Sequence, residues 1–155
     1  MSTIHTIGIA GILAVKTPDR IRTVLGSCVG VALFDCSAGI GGMAHVILPS
    51  SSEGTGDPGK FADTAVEVLL EEMMSSGAVR GKISAKIAGG ARMFGPTSQN
   101  GLGERNIVAV KERLQKHLVP VLVEDCGGEK GRKITLDPAN GELEVQIIGQ
   151  EARTI

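Results

Sequence analysis

Two neighbouring runs, VGVALFD at residues 29–35 and GGMAHVIL at residues 41–48, carry the strongest fold signal in the chain. Both runs are rich in residues that favour strands, a turn segment separates them, and Pro49 ends the second run. Two such runs joined by a short connection predict a β-hairpin. The hairpin would bring His45, on its second strand, back towards Cys28 at the start of the first.

Two segments outside this hairpin predict helices. Apolar side chains recur between residues 62 and 74 at the three- and four-residue spacing of one helix face. Asp57 suits the N-cap of this helix, Pro58 its first helical position and Gly77 its C-terminal cap. A second helix is predicted from about Glu104 to His117.

The remaining segments predict strands and loops. Residues 4–15 favour a strand pair or a bent strand, residues 90–103 a loop, and residues 133–148 a hairpin around Pro138-Ala139-Asn140-Gly141. Further strands are expected at residues 83–88 and 119–124, and the tail after Gly149 has too weak a pattern to predict more than a loose end. About seven strands and two helices give the α+β class, with mixed, mainly antiparallel sheets covered by helices. We expect a single domain over residues 1–155.

Composition excludes several classes of function. The chain has 16 Lys and Arg against 17 Asp and Glu, a net charge of −1, and its three aromatic residues are all Phe. Nucleic-acid binding usually requires a basic face or aromatic stacking platforms, so we expect none. No apolar run is long enough for a membrane span, and no secretory signal is evident, so we expect a cytoplasmic protein. Three cysteines without C-x-x-C spacing argue against a disulfide framework or a zinc ribbon.

The 22 glycines, about twice the usual share, include two patterns that resemble nucleotide-binding loops. The first, GTGDPG at residues 54–59, leads into a helix, but the preceding strand ends at Pro49, and no Asp or Glu lies between Glu72 and Glu104 to bind a ribose. The second, GIGGMA at residues 39–44, leads into a strand. Neither pattern therefore predicts a nucleotide site.

The residues best suited to chemistry are Cys28 and His45. Cys28 stands between a Gly-Ser turn and an aliphatic strand, where backbone N–H groups could also point at a substrate oxyanion. A cysteine and a histidine on adjacent strands are a candidate nucleophile and base. The other cysteines and histidines have simpler interpretations as turn, loop, strand and helix-end residues: Cys36, Cys126, His5 and His117.

At these residues the sequence resembles a known family. The segments LGSCVGV at residues 25–31 and GGMAHVILP at residues 41–49 are similar to the signature of the CheD family of chemoreceptor glutamine deamidases. The resemblance extends, in order, over most of residues 20–148. The further matching segments are PGKFADTA at residues 58–65, KIAGGARMF at residues 86–94, GERN at residues 103–106 and EDCGG at residues 124–128.

The resemblance implies a fold similar to toxin-type cysteine deamidases, and it implies the residues of the site. The family's nucleophilic cysteine falls on Cys28 and its histidine on His45. Its third catalytic member is a threonine, for which Thr23 is the candidate, one residue closer to the cysteine than the family pattern places it. The implied reaction hydrolyses glutamine side chains of chemoreceptors to glutamate through a thioester, without a metal or organic cofactor.

Two other functions remain open from the sequence. A CheD-like protein is expected to bind the response-regulator phosphatase CheC, so the chain could instead be an adaptor that does not catalyse. The same residue types would also serve a cysteine peptidase or a thioesterase. The presence of both Cys28 and His45 favours the enzyme, and we expect it to be a monomer on its own.

Overall fold

The computed structural model describes residues 2–93 and 101–155, and it has the α+β architecture that the sequence predicts. Short 3-10 turns occupy Ser51–Glu53, Pro58–Lys60 and Arg80–Lys82. The two helices are α1 (Ala62–Ser75) and α2 (Leu102–Lys116). The strands are β1 (Ile4–Thr6), β2 (Ile12–Lys16), β3 (Arg20–Leu25), β4 (Val29–Asp35), β5 (Ile40–Val46), β6 (Ser84–Gly89), β7 (Val121–Cys126), β8 (Arg132–Asp137), β9 (Glu142–Ile147) and β10 (Arg153–Thr154).

The strands form two five-stranded sheets. One sheet has the order β1-β3-β8-β9-β10, and the other has the order β2-β5-β4-β6-β7. The pairs β1–β3 and β6–β7 are parallel, and the other neighbours are antiparallel. The sheets are therefore mixed and mainly antiparallel, as the sequence indicates.

The sheets and helices stack in three layers. The sheet β2-β5-β4-β6-β7 is the central sheet, with the helices on one face and the sheet β1-β3-β8-β9-β10, the outer sheet, on the other, so a core lies on each side of it. Alternate side chains of β4 point to opposite faces. Val31 and Leu33 pack with the helices, whereas Ala32 and Phe34 pack between the two sheets. Every residue of β4 is buried as a result. The central strand thus reads as a continuous apolar run because both of its faces are covered.

The hairpin predicted from residues 29–48 is present and sets the geometry of the candidate site. β4 pairs with β5 antiparallel over Val29–Asp35 and Ile40–Val46, with Gly30 opposite His45. A Cβ at Gly30 would lie 2.6 Å from Ile134 Cδ1, because the outer sheet approaches closely there. The side chain of His45 therefore lies on the face that the central sheet turns towards β3 and β8.

The first helix begins later than the sequence predicts. Asp57 and Pro58 begin a separate 3-10 turn, and Asp57 makes no side-chain capping bond. Phe61 is extended, at φ −117° and ψ 136°, and bridges to Leu48, so the α-helix begins at Ala62. The predicted end is confirmed, since Gly77 follows the helix with φ +114°.

The strand count also exceeds the expectation of about seven. Of the expected strand pair or bent strand at residues 4–15, the structure has two strands, β1 and β2, which lie in different sheets. In addition, β3 is a full strand, and the tail forms β10 against β9 instead of a loose end. The tail is held because Ile155 and Leu143 exchange backbone hydrogen bonds. Of the loop expected at residues 90–103, residues 94–100 lie outside the described residues. No helix among the described residues is long and apolar enough to cross a membrane.

Candidate active site

His45 and Thr23 come from opposite sheets and meet between them. The Thr23 hydroxyl lies 2.8 Å from His45 Nδ1, and both residues are buried. The same hydroxyl donates its one hydrogen to the backbone carbonyl of Ile7, 2.8 Å away. A carbonyl oxygen can only accept, so Thr23 must accept from His45, and the imidazole carries its proton on Nδ1. The other ring nitrogen, Nε2, is thereby left as a lone-pair acceptor.

The environment keeps His45 in this neutral form. Burial lowers the pKa of His45 below its usual value of 6.5, because desolvation disfavours the imidazolium ion. His45 Nε2 is buried and has no hydrogen-bond partner among the described residues. A buried, unpartnered, basic nitrogen is suited to accept a proton from a reacting group.

Cys28 stands in the short loop between β3 and β4, on the same face of the central sheet as His45. It is half-buried and packs against the core between the sheets. Cys28 precedes Gly30 by two positions, and Gly30 is paired with His45. Cys28 and His45 are therefore diagonal neighbours, a relation in which residues generally lie about 7–8 Å apart and their Cβ atoms somewhat closer. No hydrogen bond joins Cys28 Sγ to His45 Nε2. Such catalytic contacts often tighten only when substrate binds.

Cys28 is protonated at rest. Burial raises the pKa of the Cys28 thiol, and a hydrogen bond from its own backbone N–H opposes this only in part. A raised thiol pKa beside a lowered imidazole pKa favours the neutral pair over thiolate and imidazolium. The arrangement can therefore perform proton transfer from sulfur to nitrogen at the moment of attack, with no ion pair stored beforehand.

A glycine turn holds the Cys28 loop from the other side. Gly90 N–H donates to the Cys28 carbonyl at 2.8 Å, and Ala91 N–H donates to the Gly26 carbonyl at 3.0 Å. Gly89 has φ +108°, and a Cβ there would lie 2.2 Å from the Cys28 carbonyl oxygen. Only glycine allows β6 to end this close to the backbone of Cys28.

The other cysteines do not join this site. Cys36 is exposed beyond the far end of β4. Cys126 ends β7 and packs against the helix-side core, on the opposite face of the central sheet from Cys28. Burial, together with the Glu124 carboxylate, raises the pKa of Cys126 to about 11. Neither thiol is therefore placed to act with His45.

The other histidines have structural partners. His5 pairs with the Asp19 carboxylate at 2.9 Å, and His117 caps α2 beside Arg80. Within residues 2–93 and 101–155, no three His, Cys, Asp or Glu side chains are grouped as metal ligands.

Sequence reasoning missed one residue that contacts both halves of the site. Asn106 lies in α2, fully buried, and its side-chain amide donates to the carbonyls of Ser27 and Ile47. The position lies in the GERN segment, and a polar residue on the apolar face of a predicted helix was the available signal. The missing information was the position of α2 against the loop.

Comparison with known proteins gives one family. A family model described as CheD chemotactic sensory transduction matches residues 47–147. Relatives named "Probable chemoreceptor glutamine deamidase CheD" match along nearly the whole chain. The protein from Syntrophomonas wolfei is 43% identical with all of both chains covered, and that from Clostridium tetani is 40% identical over 94% of this chain and 92% of its own. A relative from Geobacillus kaustophilus is 43% identical over 96% of this chain and 95% of its own.

Among solved structures, the Neisseria meningitidis protein NMB0706, of the family DUF152, has a similar fold. Its TM-score is 0.53 at 9% sequence identity, over 80% of this chain and 64% of that one. At so low an identity the likeness concerns the fold alone, and it agrees with the α+β class.

Proposed function

The chain belongs to the CheD family, and on that premise we propose that it hydrolyses glutamine side chains of chemoreceptors to glutamate. Cys28 is the nucleophile, His45 transfers the protons, and Thr23 positions His45. The names of the relatives supply the class of substrate. The residues supply a mechanism that requires no metal or organic cofactor.

The observation that carries the mechanism is the one-directional hydrogen-bond chain from His45 through Thr23 to Ile7. Because the Thr23 hydroxyl donates to the Ile7 carbonyl, it accepts from His45 Nδ1, and Nε2 is the basic nitrogen. This is the arrangement in which a third group orients the base of a nucleophile–histidine pair. A neutral hydroxyl stabilises imidazolium less than a carboxylate would, so the base stays weak and neutral at rest.

The reaction proceeds in two halves. In the first, His45 Nε2 takes the Cys28 thiol proton as sulfur attacks the carboxamide carbon, and a tetrahedral oxyanion forms. The imidazolium then donates its proton to the departing nitrogen, the C–N bond breaks, and ammonia leaves a thioester on Cys28. In the second half, His45 takes a proton from water as the water oxygen attacks the thioester. The C–S bond then breaks, the His45 imidazolium returns the proton to the departing Cys28 sulfur, and glutamate is released.

Backbone groups near Cys28 are available for the oxyanion. The N–H of Cys28 donates to no carbonyl oxygen of the described residues. A donor on the nucleophile's own residue lies close to where the substrate oxygen becomes negative. This position supports its use in the oxyanion site.

The surface around the site suits a protein substrate. Cys28 is partly exposed, so a glutamine side chain can reach it. Met93, whose side chain lies against Gly26 of the Cys28 loop, is an exposed apolar residue, and Ile9 is exposed in the turn that hydrogen-bonds to the backbone of His45. Exposed apolar side chains near the loop and near His45 favour docking of a helix that presents one glutamine.

The remaining expectations on partners belong to this proposal. The protein binds CheC as well as receptor, acts in the cytoplasm and is a monomer on its own, as the family resemblance implies. Size-exclusion chromatography with and without CheC tests the partner and the monomer together. A receptor fragment that competes with CheC would place both partners on the same surface.

The deciding experiment incubates the protein with a receptor cytoplasmic fragment and maps conversion of glutamine to glutamate by mass spectrometry. Cys28→Ala and His45→Ala should abolish conversion, and Cys36→Ala should leave it unchanged because Cys36 is exposed and remote from His45. Conversion that survives Cys28→Ala would overturn the mechanism. Peptide-bond cleavage would indicate a peptidase, and CheC binding without conversion would indicate an adaptor.

A further inference from the structure

Three consecutive carbonyls of the Cys28 loop each accept one hydrogen bond from residues that follow β6. The Gly26 carbonyl accepts from Ala91 N–H and the Cys28 carbonyl from Gly90 N–H. Between them, the Ser27 carbonyl accepts from the side-chain amide of Asn106 at 3.2 Å. Two of the three donors are backbone groups, and the third is a side chain that can be changed without breaking the chain.

Asn106 also holds the strand that carries His45. The second hydrogen of its amide goes to the carbonyl of Ile47, 3.1 Å away and two residues beyond His45. The ladder between β4 and β5 ends at the pair Val29–Val46, so Ser27 and Ile47 both lie just past its last pair. Asn106 therefore links the Cys28 loop to the end of β5, at the point where the pairing of β4 and β5 stops.

The packing of α2 makes this reach possible. Gly103, one turn before Asn106, would place a Cβ 2.4 Å from the Gly90 carbonyl oxygen, so the helix lies directly on the glycine turn. Asn106 follows on the same inward face, ahead of the apolar Val110 and Leu114. Its Oδ1 atom is buried with no partner among the described residues. A buried unpaired acceptor lowers the stability of the fold, and an apolar residue at position 106 would avoid that loss. What asparagine provides in return is its two donated hydrogen bonds.

We propose that Asn106 is a positioning residue for the reaction, one that sets the distance between Cys28 Sγ and His45 Nε2. This inference rests on the proposed function. Removing the amide breaks the side-chain link between the Ser27 and Ile47 carbonyls. The loop then keeps its bonds to Gly90 and Ala91 but loses this tie to the strand end beyond His45. The nucleophile and base are diagonal neighbours without a direct hydrogen bond, so their approach depends on this connection.

The test uses Asn106→Leu and Asn106→Asp, which keep the size of the side chain and remove the two-hydrogen donor. Asp35→Asn is the matched control. Asp35 is a buried polar residue at the other end of β4, where it accepts from Ser37 and from Val79 N–H. All three variants remove hydrogen bonds of a buried polar side chain, but only the two Asn106 variants remove bonds to the candidate site.

Deamidation kinetics separate positioning from stability. We expect both Asn106 variants to lower kcat by between about tenfold and a hundredfold, since misplacement of reacting groups carries losses of that size, while KM stays near that of the wild type. Asp35→Asn should lower the melting temperature without lowering kcat. Wild-type kcat in folded Asn106 variants, or failure of both to fold, would overturn the inference and assign Asn106 to folding alone.

A second readout needs no receptor. The rate at which iodoacetamide alkylates Cys28 is measured in the wild type, His45→Asn, Asn106→Leu and the double variant. If Asn106 acts through the Cys28–His45 geometry, its loss should slow alkylation when His45 is present and have little effect when His45 is absent. Equal effects in both backgrounds would overturn the inference. If the wild type does not deamidate but this coupling is present, the proposed function fails and the positioning role stands.

Discussion

Thr23→Val is the sharpest test of the hydrogen-bond chain at the site. The substitution keeps the shape of a β-branched side chain and removes one hydroxyl, which in the wild type lies 2.8 Å from both His45 Nδ1 and the Ile7 carbonyl. Ile7 is only half-buried, so water can replace the lost donor there. His45 Nδ1–H is buried and loses its acceptor.

The structure sets the size of both effects. Leaving a buried donor unpaired costs about 1–3 kcal/mol of folding free energy. Catalysis suffers because nothing then holds the proton on Nδ1 and the lone pair on Nε2. The wrong tautomer costs about 10⁴ in kcat where a carboxylate orients the histidine. A hydroxyl binds more weakly, so we expect a loss of about 10- to 100-fold, equivalent to about 1.4–2.8 kcal/mol.

Three measurements on Thr23→Val and Thr23→Ser check this reasoning. Mass spectrometry of a receptor fragment gives kcat, urea unfolding gives the stability, and nitrogen NMR of labelled histidine reports the tautomer of His45. Thr23→Ser retains the hydroxyl and should keep the Nδ1–H tautomer and most of the activity. A folded Thr23→Val with wild-type kcat, or a wild type with the proton on Nε2, would refute the assigned direction of the hydrogen bonds.

Further predictions concern packing, pH and charge. Gly30→Ala should cost about 1–3 kcal/mol in urea unfolding, because the new Cβ would lie 2.6 Å from a core methyl group of the facing sheet; unchanged stability would show that the sheets separate easily. Since burial lowers the pKa of His45, the unfolded chain binds the proton more readily, and stability should fall as pH drops below about 6.5; His45→Gln should remove that part of the pH dependence, and identical profiles would contradict it. Burial raises the pKa of Cys126 to about 11, so in a variant with the other two cysteines changed to serine, thiolate absorbance should rise only near that pH; titration near 8.5 would contradict the burial. Asp125→Asn should destabilise the fold by about 3–5 kcal/mol by unfolding calorimetry, because it leaves the buried guanidinium of Arg132 without its carboxylate; a loss well under 1 kcal/mol would show that the backbone carbonyls suffice.

Much of the fold could be predicted from local patterns. The strand at residues 29–35, the hairpin to β5 and the end of α1 at Gly77 followed from residue types and spacing, and the structure confirms them. The start of α1 and the ordered structure of the tail did not follow from local patterns, because both depend on residues elsewhere in the chain. Phe61 is extended through its bridge to Leu48, and β10 forms only because β9 is exposed at the sheet edge.

The candidate site divides in the same way. The hairpin alone predicted that His45 returns towards Cys28, since antiparallel pairing depends on neighbouring segments of the chain. Thr23 lies on a different sheet from His45, so its hydrogen bond depends on how the two sheets face each other. Asn106 lies far along the chain on α2, and no local pattern connects it to either residue.

Strand and turn preferences and the types of reactive side chain are local properties, so they were enough to predict the class of fold, the two residues suited to nucleophilic chemistry and the family they resemble. The folded structure was needed to show which nitrogen of His45 is free, because that depends on the Ile7 carbonyl beyond Thr23. It also shows that burial disfavours the charged forms of both the thiol and the imidazole, since burial is a property of the packed sheets. Proton location and pKa depend on contacts between segments that the linear sequence keeps apart, and packing is what brings those segments together.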